Sequence, residues 1–217
     1  MQGQNDEPSR GKMDYFEDLT GEIGEPEPQE VEDLGVRLRQ LREEKGYSLS
    51  DLAGATGYEE DFLSRVERGE ARPQLGEMIR LSRALEGVLG ALISGEGDKP
   101  YAITRRGDRK PVSRSTTSKG NQELYIYKSL ASEVRGRSME PLVVRLKENP
   151  EEETSIHEGE EFIFVLEGQV IIRLGQDRFD LDPGDSVYYQ SSLPHVVAAK
   201  KESATILAVV YEGHKKE

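Results

Sequence analysis

The 217-residue chain contains no cysteine and no tryptophan, and only three histidines. Without cysteine there is no disulfide, no thiolate metal ligand, no cysteine nucleophile and no thiol redox sensor, which fits a reducing compartment. No apolar run approaches the roughly 18 residues that a spanning helix needs. The first thirty residues are too acidic and polar for a signal peptide. The expectation is a soluble, cytoplasmic protein with no membrane partner. Positive charge is also scarce, with 29 Lys and Arg against 42 Asp and Glu and a net charge of -13. A nucleic-acid binder ordinarily presents a basic face, so the distribution of that deficit matters. Residues 1–33 hold 11 acidic and 2 basic groups in a tail that includes "GEIGEPEPQE", a composition expected to be disordered. Residues 99–119 reverse the sign, with 7 basic groups and 1 acidic.

From Leu34 the hydrophobic period is helical. "LGVRLRQLREEKG" sets Leu34, Leu38 and Leu41 on one face and stops at Gly46, a C-terminal capping residue. "YSLSDLAGATG" offers Ser48 as an N-cap, with Asp51 three residues on as a short capping box. Leu52 and Ala53 then face inward and Gly57 turns the chain. In "YEEDFLSRVERG", Phe62, Leu63 and Val66 form the buried side. "PQLGEMIRLSRALEG" gives a further amphipathic helix through Leu75, Ile79, Leu81 and Leu85, and "VLGALIS" closes the module. A small residue, a turn glycine four later and apolar residues beyond it suit two short helices crossing closely, the helix-turn-helix arrangement.

Over about sixty residues, "LRQLREEKGYSLSDLAGATG…LSRVERGEARPQL" resembles the Cro/C1-type (XRE) family of bacterial and phage repressors. The resemblance implies an operator-binding domain whose base-reading positions fall on Glu60, Asp61 and Arg65, with Ser48 and Arg68 beside them at the DNA. It also implies that Glu67 pairs with Arg42 as a structural ion pair. The chain departs from the family in two places. The recognition helix opens with the acids "EED", and Leu49 stands where a phosphate-binding side chain is usual. Acids there suit the helix dipole and can accept from cytosine N4, but they repel phosphates. The alternative is a helical protein–protein module that no longer binds DNA.

After Ser94 the period shortens to that of strands. "ELYIYKSL", "PLVVRL", "EFIFVLEG", "QVIIRLG", "RFDL", "DSVYYQ", "HVVAA" and "SATILAVVYE" are separated by turns such as "EGQ", "GQD" and "DPGD", as in a sandwich or small barrel. If residues 157–167 run extended, His157, Glu161, Ile163 and Val165 share one face, while Phe162, Phe164 and Leu166 occupy the other. A strand apolar on both sides is covered twice, by its own fold or by a second subunit. With His157, Glu161 and Gly168 as one motif and Pro183, Gly184, Asp185, Pro194 and His195 as another, residues 120–212 resemble the cupin family, a β-barrel (double-stranded β-helix) with a metal or ligand site in its mouth.

That resemblance implies His157, Glu161 and His195 as ligands of a divalent metal (Fe, Mn, Zn or Ni), near a pocket wall of Ile163, Val165, Tyr188 and Tyr189. Ser155 replaces the family's first histidine, and Ala199 stands where its second motif has asparagine. Two histidines and one carboxylate with open positions suit non-haem iron, although the loss of a ligand also suits a barrel that binds small molecules without metal. His214, in the charged tail, reads as solvated. The expected architecture is multidomain, α plus β: an acidic tail (1–33), a helix-turn-helix bundle (34–95), a basic linker with the first strand (96–119) and a cupin sensor (120–213). The corresponding function is a DNA-binding regulator, not an enzyme, working as a cupin-mediated homodimer on a double-stranded operator under a small-molecule effector. The alternative is an iron-dependent cupin oxygenase or epoxidase with a vestigial helix-turn-helix domain.

Overall fold

The computed structural model describes residues 34–213, apart from residues 88, 96, 110, 117–122 and 150–153. The expectations for the acidic tail and for His214 lie outside the described residues. Five helices come first: α1 (Leu34–Glu44), α2 (Leu49–Thr56), α3 (Glu60–Glu67), α4 (Leu75–Ala84) and α5 (Leu89–Ser94). Their ends follow the local chemistry. At α2 the Asp51 amide donates to Ser48 Oγ at 3.1 Å, and the Ser48 amide donates to Asp51 Oδ2 at 2.8 Å. Gly57 then leaves the helix at φ 77°, a left-handed conformation that a side chain would strain. Leu38, Leu52, Leu63, Ile79 and Leu92 are fully buried and form the helical core.

Two cations, Arg37 buried and Arg42 partly buried, tie this bundle together. Arg42 donates to both carboxylate oxygens of Glu67, at 2.6 and 3.0 Å, and to the carbonyl of Tyr47 at 2.6 Å. This is the ion pair that the repressor resemblance implies. Arg37 donates to the carbonyl of Leu92 at 2.8 Å and also to that of Ile93, answering the partial negative charge at the end of α5.

The second half is built from β1 (Pro111–Thr116), β2 (Glu123–Ser129), β3 (Met139–Lys147), β4 (Glu160–Glu167), β5 (Val170–Leu174), β6 (Asp177–Leu181), β7 (Ser186–Gln190), β8 (His195–Ala199) and β9 (Ser203–Tyr211). Six strands form one sheet in the order β1-β2-β3-β9-β4-β7, and three form another in the order β6-β5-β8. All the strand pairings are antiparallel. The hydrogen bonding does not run continuously around the two sheets, so the β half is an open sandwich. Ile163, Val165, Val170, Ile172, Ile206 and Val144 fill the space between the sheets, and this core is continuous with that of the helices. Among the described residues, no helix is long and apolar enough to cross a membrane.

The opposite face of the large sheet is apolar as well. Neighbouring strands bring Tyr188, Phe162, Val209 and Pro141 into one cross-strand row, and Ser186, Phe164, Leu207 and Val143 into the next. Phe162, Phe164, Leu207 and Val209 remain partly exposed. The two-sided apolarity of β4 is therefore real, and its inner side alone is fully covered within the chain.

Candidate metal centre and ligand cavity

His157 and Glu161 do not share a face by simple alternation. β4 begins only at Glu160, and Gly159 stands at φ 101° with its Cα against the backbone of Tyr211 and Glu212. The premise that residues 157–167 run extended is corrected: a glycine bend, not the strand pleat, aims His157 at Glu161. His195 opens β8, and its amide and carbonyl exchange hydrogen bonds with Ser155 at 3.0 and 2.8 Å. That bridge brings the two histidine segments together.

The three side chains converge and are buried, with 8% of His157, 3% of Glu161 and 4% of His195 exposed. His157 Nε2 lies 2.9 Å and His195 Nε2 3.5 Å from the same oxygen, Glu161 Oε1. One ligand atom from each residue falls within 4.8 Å of the others. The far nitrogens fix the tautomers. His157 Nδ1 lies 3.0 Å from the carbonyl of Glu158, and His195 Nδ1 2.8 Å from that of Leu193. Carbonyls only accept, so each Nδ1 carries a proton, and in a neutral ring the Nε2 facing Glu161 then presents a lone pair. Burial lowers the His195 pKa and favours its neutral form. At Glu161 burial acts to raise the pKa, but protons on the facing imidazoles and the Tyr189 hydroxyl outweigh it, so that without a metal the carboxyl is lowered.

With neutral rings two lone pairs would face one carboxylate oxygen, and His157 Nε2 has no hydrogen-bond partner despite its short approach. A cation between them resolves that conflict. Ligand bonds of about 2.1 Å set adjacent donors about 3 Å apart, close to the two spacings observed. The carboxylate is further held by the hydroxyls of Tyr189 at 2.9 Å and Ser191 at 3.2 Å, the outer-shell support that metal ligands ordinarily carry.

Around this trio lies a cavity of about 60 Å³. Ile163 lines it. Val165 lies on the same face but deeper, in the core. Tyr189 is buried, stacks at 5.0 Å on His195 and braces Glu161. The expectation for Tyr188 is corrected: it is paired with Phe162 on the outer face, 61% exposed, and its hydroxyl donates to Glu160. Neighbours in a strand point to opposite sides, so only one of the two tyrosines can face the metal site. Tyr125 and Tyr127 line the cavity from β2, and Gln74, Leu75 and Gly76 line it from α4. Sequence reasoning missed all five. The one local cue is a glycine in the first turn of α4, a poor helix former without an evident reason.

On the helical side, Glu60, Asp61 and Arg68 are exposed on or just beyond α3, and Arg65 is partly buried. The basic groups already face acids of their own chain. Arg65 Nε lies 3.3 Å from Asp61 Oδ2, and Arg68 donates to Glu70 at 2.7 and 2.8 Å. Ser48 is engaged as the cap of α2.

Residues 33–92 match the family model of a helix-turn-helix domain, and residues 142–211 match that of the cupin domain. Over 184 residues the chain is 29% identical to the (S)-2-hydroxypropylphosphonic acid epoxidase of Streptomyces wedmorensis, covering 79% of this chain and 92% of that protein. Over 167 residues it is 24% identical to the transcriptional regulator SutR of Escherichia coli, covering 75% and 85%. A crystal structure of a helix-turn-helix transcriptional regulator from Vibrio cholerae shares the fold, with a TM-score of 0.60 and 22% identity over 84% of this chain and 96% of that one.

Proposed function

Because this chain joins an N-terminal helix-turn-helix domain to a C-terminal cupin domain, we propose that it is a cytoplasmic, DNA-binding transcriptional regulator whose cupin cavity senses a small molecule through a divalent metal. The observation that carries this reading is the division of surfaces. The helical domain meets the β domain through α4 and α5, while the acids and Arg68 of the α3 segment stay exposed. A recognition helix held away from the sensor is free to enter a major groove. Ser48, Glu60, Asp61, Arg65 and Arg68 form the proposed operator-facing set, with Arg65 as the base reader and the acids suppressing nonspecific attraction to phosphate.

His157, Glu161 and His195 would hold the ion, with Fe, Mn, Zn and Ni all compatible with this donor set. Such an ion keeps open positions and supplies a Lewis acid for an oxygen donor. One carboxylate against a dication leaves a single net positive charge. None of the described side chains lining the cavity is a Lys or Arg. That balance favours a small carboxylate or a neutral oxygen ligand with an apolar body, resting on Ile163 and Val197. Two copies would assemble through the apolar outer face of β4 and β9, presenting two α3 helices to a palindrome.

The second reading is an oxygenase with a vestigial helical domain. The identity spanning most of the Streptomyces epoxidase and the acidic start of α3 both favour it. Against it stands the cavity, because a phosphonic acid of the kind named for that enzyme would lack a basic partner among the described residues that line it. One substitution separates the two. Glu161→Ala should abolish the effector response and leave basal operator binding largely intact. If it instead abolishes an oxidative turnover, in a protein that retards no genomic fragment at low salt, the enzyme reading holds.

A further inference from the structure

We propose that the first turn of α4, a segment of the DNA-binding domain, is the lid of the cupin cavity, so that a ligand larger than a few waters must lift it. The proposal rests on the sensing role assigned to the cavity above and says how occupancy reaches the DNA-binding domain. Gln74, Leu75 and Gly76 form part of the cavity wall beside His157, Glu161 and His195. The approach is close enough to require glycine. A Cβ added to Gly76 would overlap Ser155 Oγ and lie 3.2 Å from His157 Cδ2. Ser155 occupies the position where the cupin motif offers its first histidine, so the small side chain that removes a ligand also makes room for the helix. An imidazole there would collide with α4.

The size of the cavity makes the lid necessary. Its volume of about 60 Å³ is room for a few waters, whereas small-molecule sites run to about 300 Å³ or more. Something must move for such a ligand to enter. Ser155 and His157, which precede β4, are tied by backbone hydrogen bonds to His195 and Ser191. The rest of the wall belongs to strands hydrogen-bonded into sheets, while the α4 turn reaches it across an interface between domains, the kind of contact where motion is the default. The same helix is fastened next to a metal ligand. Arg83, near the end of α4, pairs with Glu158 and donates to the carbonyl of Glu212 at 2.6 Å. Glu158 follows His157 and accepts from its Nδ1. The Glu212 carboxylate accepts from the amide of Leu89 at the start of α5. Lifting the turn therefore loads Arg83 and the seat of α4 and α5 together, and the helical domain leaves its docked position.

The absence of cysteine makes a direct test possible. The Cβ position of Gly76 lies 3.5 Å from Ser155 Cβ, within the span of a disulfide. The double variant G76C/S155C should form one intrachain bridge on oxidation and lock the turn shut. Two readouts compare the oxidised and reduced forms of the full chain. Without metal, hydrogen exchange is followed at the amides of Ser155, His157 and His195, which bond across the cavity mouth. The lid predicts at least tenfold slower exchange when locked, and equal exchange in both forms overturns it. With Co(II) loaded before oxidation, formate should perturb the cobalt spectrum of both forms, and benzoate that of the reduced form alone. Benzoate binding equally to the locked form also overturns the lid. Slowed exchange with no uptake of Co(II) by either form would sustain the lid and remove the metal reading. Failure of the bridge to form in the folded protein would show that Gly76 and Ser155 do not meet and would overturn the proposal at its base.

Discussion

Glu161 Oε1 faces two imidazole nitrogens from rings whose far nitrogens each donate to a backbone carbonyl. The residues in this centre were legible from spacing, because two of the three histidines fall at matched positions beside one glutamate. Their geometry was not legible. It depends on the bend at Gly159 and on the register of β7, which sets Tyr189 and not Tyr188 opposite Glu161. A slip of one residue exchanges the two faces of a strand, and "VYYQ" carries no cue to its own parity. The centre predicts a linkage. A divalent ion at a hundredfold its dissociation constant should stabilise the fold by about 2.7 kcal/mol. Thermal unfolding with and without a chelator should show the rise for the wild type and lose it for Glu161→Ala. A second residue-scale expectation concerns Arg42. Its bidentate pair with Glu67 is largely buried, so Arg42→Ala leaves a carboxylate without its partner and should cost about 3 kcal/mol in denaturant unfolding.

The first three helices were the most legible elements, because each carries its own stop or start: Gly46 after α1, Ser48 and Gly57 around α2, and Gly69 at φ 72° after α3. Their seating on the β domain was hidden, since Gly76 meets Ser155 and Arg83 meets Glu158 only after both domains have folded. The seam between them should depend on pH through Glu212. Burial raises its carboxyl above the ordinary value, against the opposing pull of the Leu89 amide and Arg83. A raised folded pKa means that the favourable contribution is complete below the unfolded value and is lost as pH rises through the folded one. Glu212→Gln should therefore gain in melting temperature relative to the wild type as pH is raised from about 4 to about 8. A difference constant across that range would remove the assignment. At α3 the acids oppose phosphate. Glu60→Gln should strengthen binding to random duplex DNA at low salt and lose that advantage as salt screens the charge, which a titration at two ionic strengths would read.

At the scale of the molecule, the apolar rows centred on Phe162 and Phe164 leave one sheet face half covered, and a second copy is the cover that symmetry supplies most simply. Light scattering at micromolar concentration should give a dimer for the wild type and a monomer for Phe164→Glu. A wild-type monomer would remove the assembly and with it the reading of a palindrome by paired helices. The net acidity of the chain pointed away from DNA, and the exposed acids of α3 keep that tension in the folded protein. The decisive measurement is the capture of fragmented genomic DNA by the purified protein at moderate salt, with Arg65→Ala run in parallel. A regulator should enrich a small set of fragments that share a palindromic element with half-sites about one helical turn apart. Arg65→Ala should blur that enrichment by about 1–3 kcal/mol of lost discrimination. Recovery of no fragment above background by the wild type, at low salt as well as moderate, would contradict the regulator and leave the cavity to an enzyme.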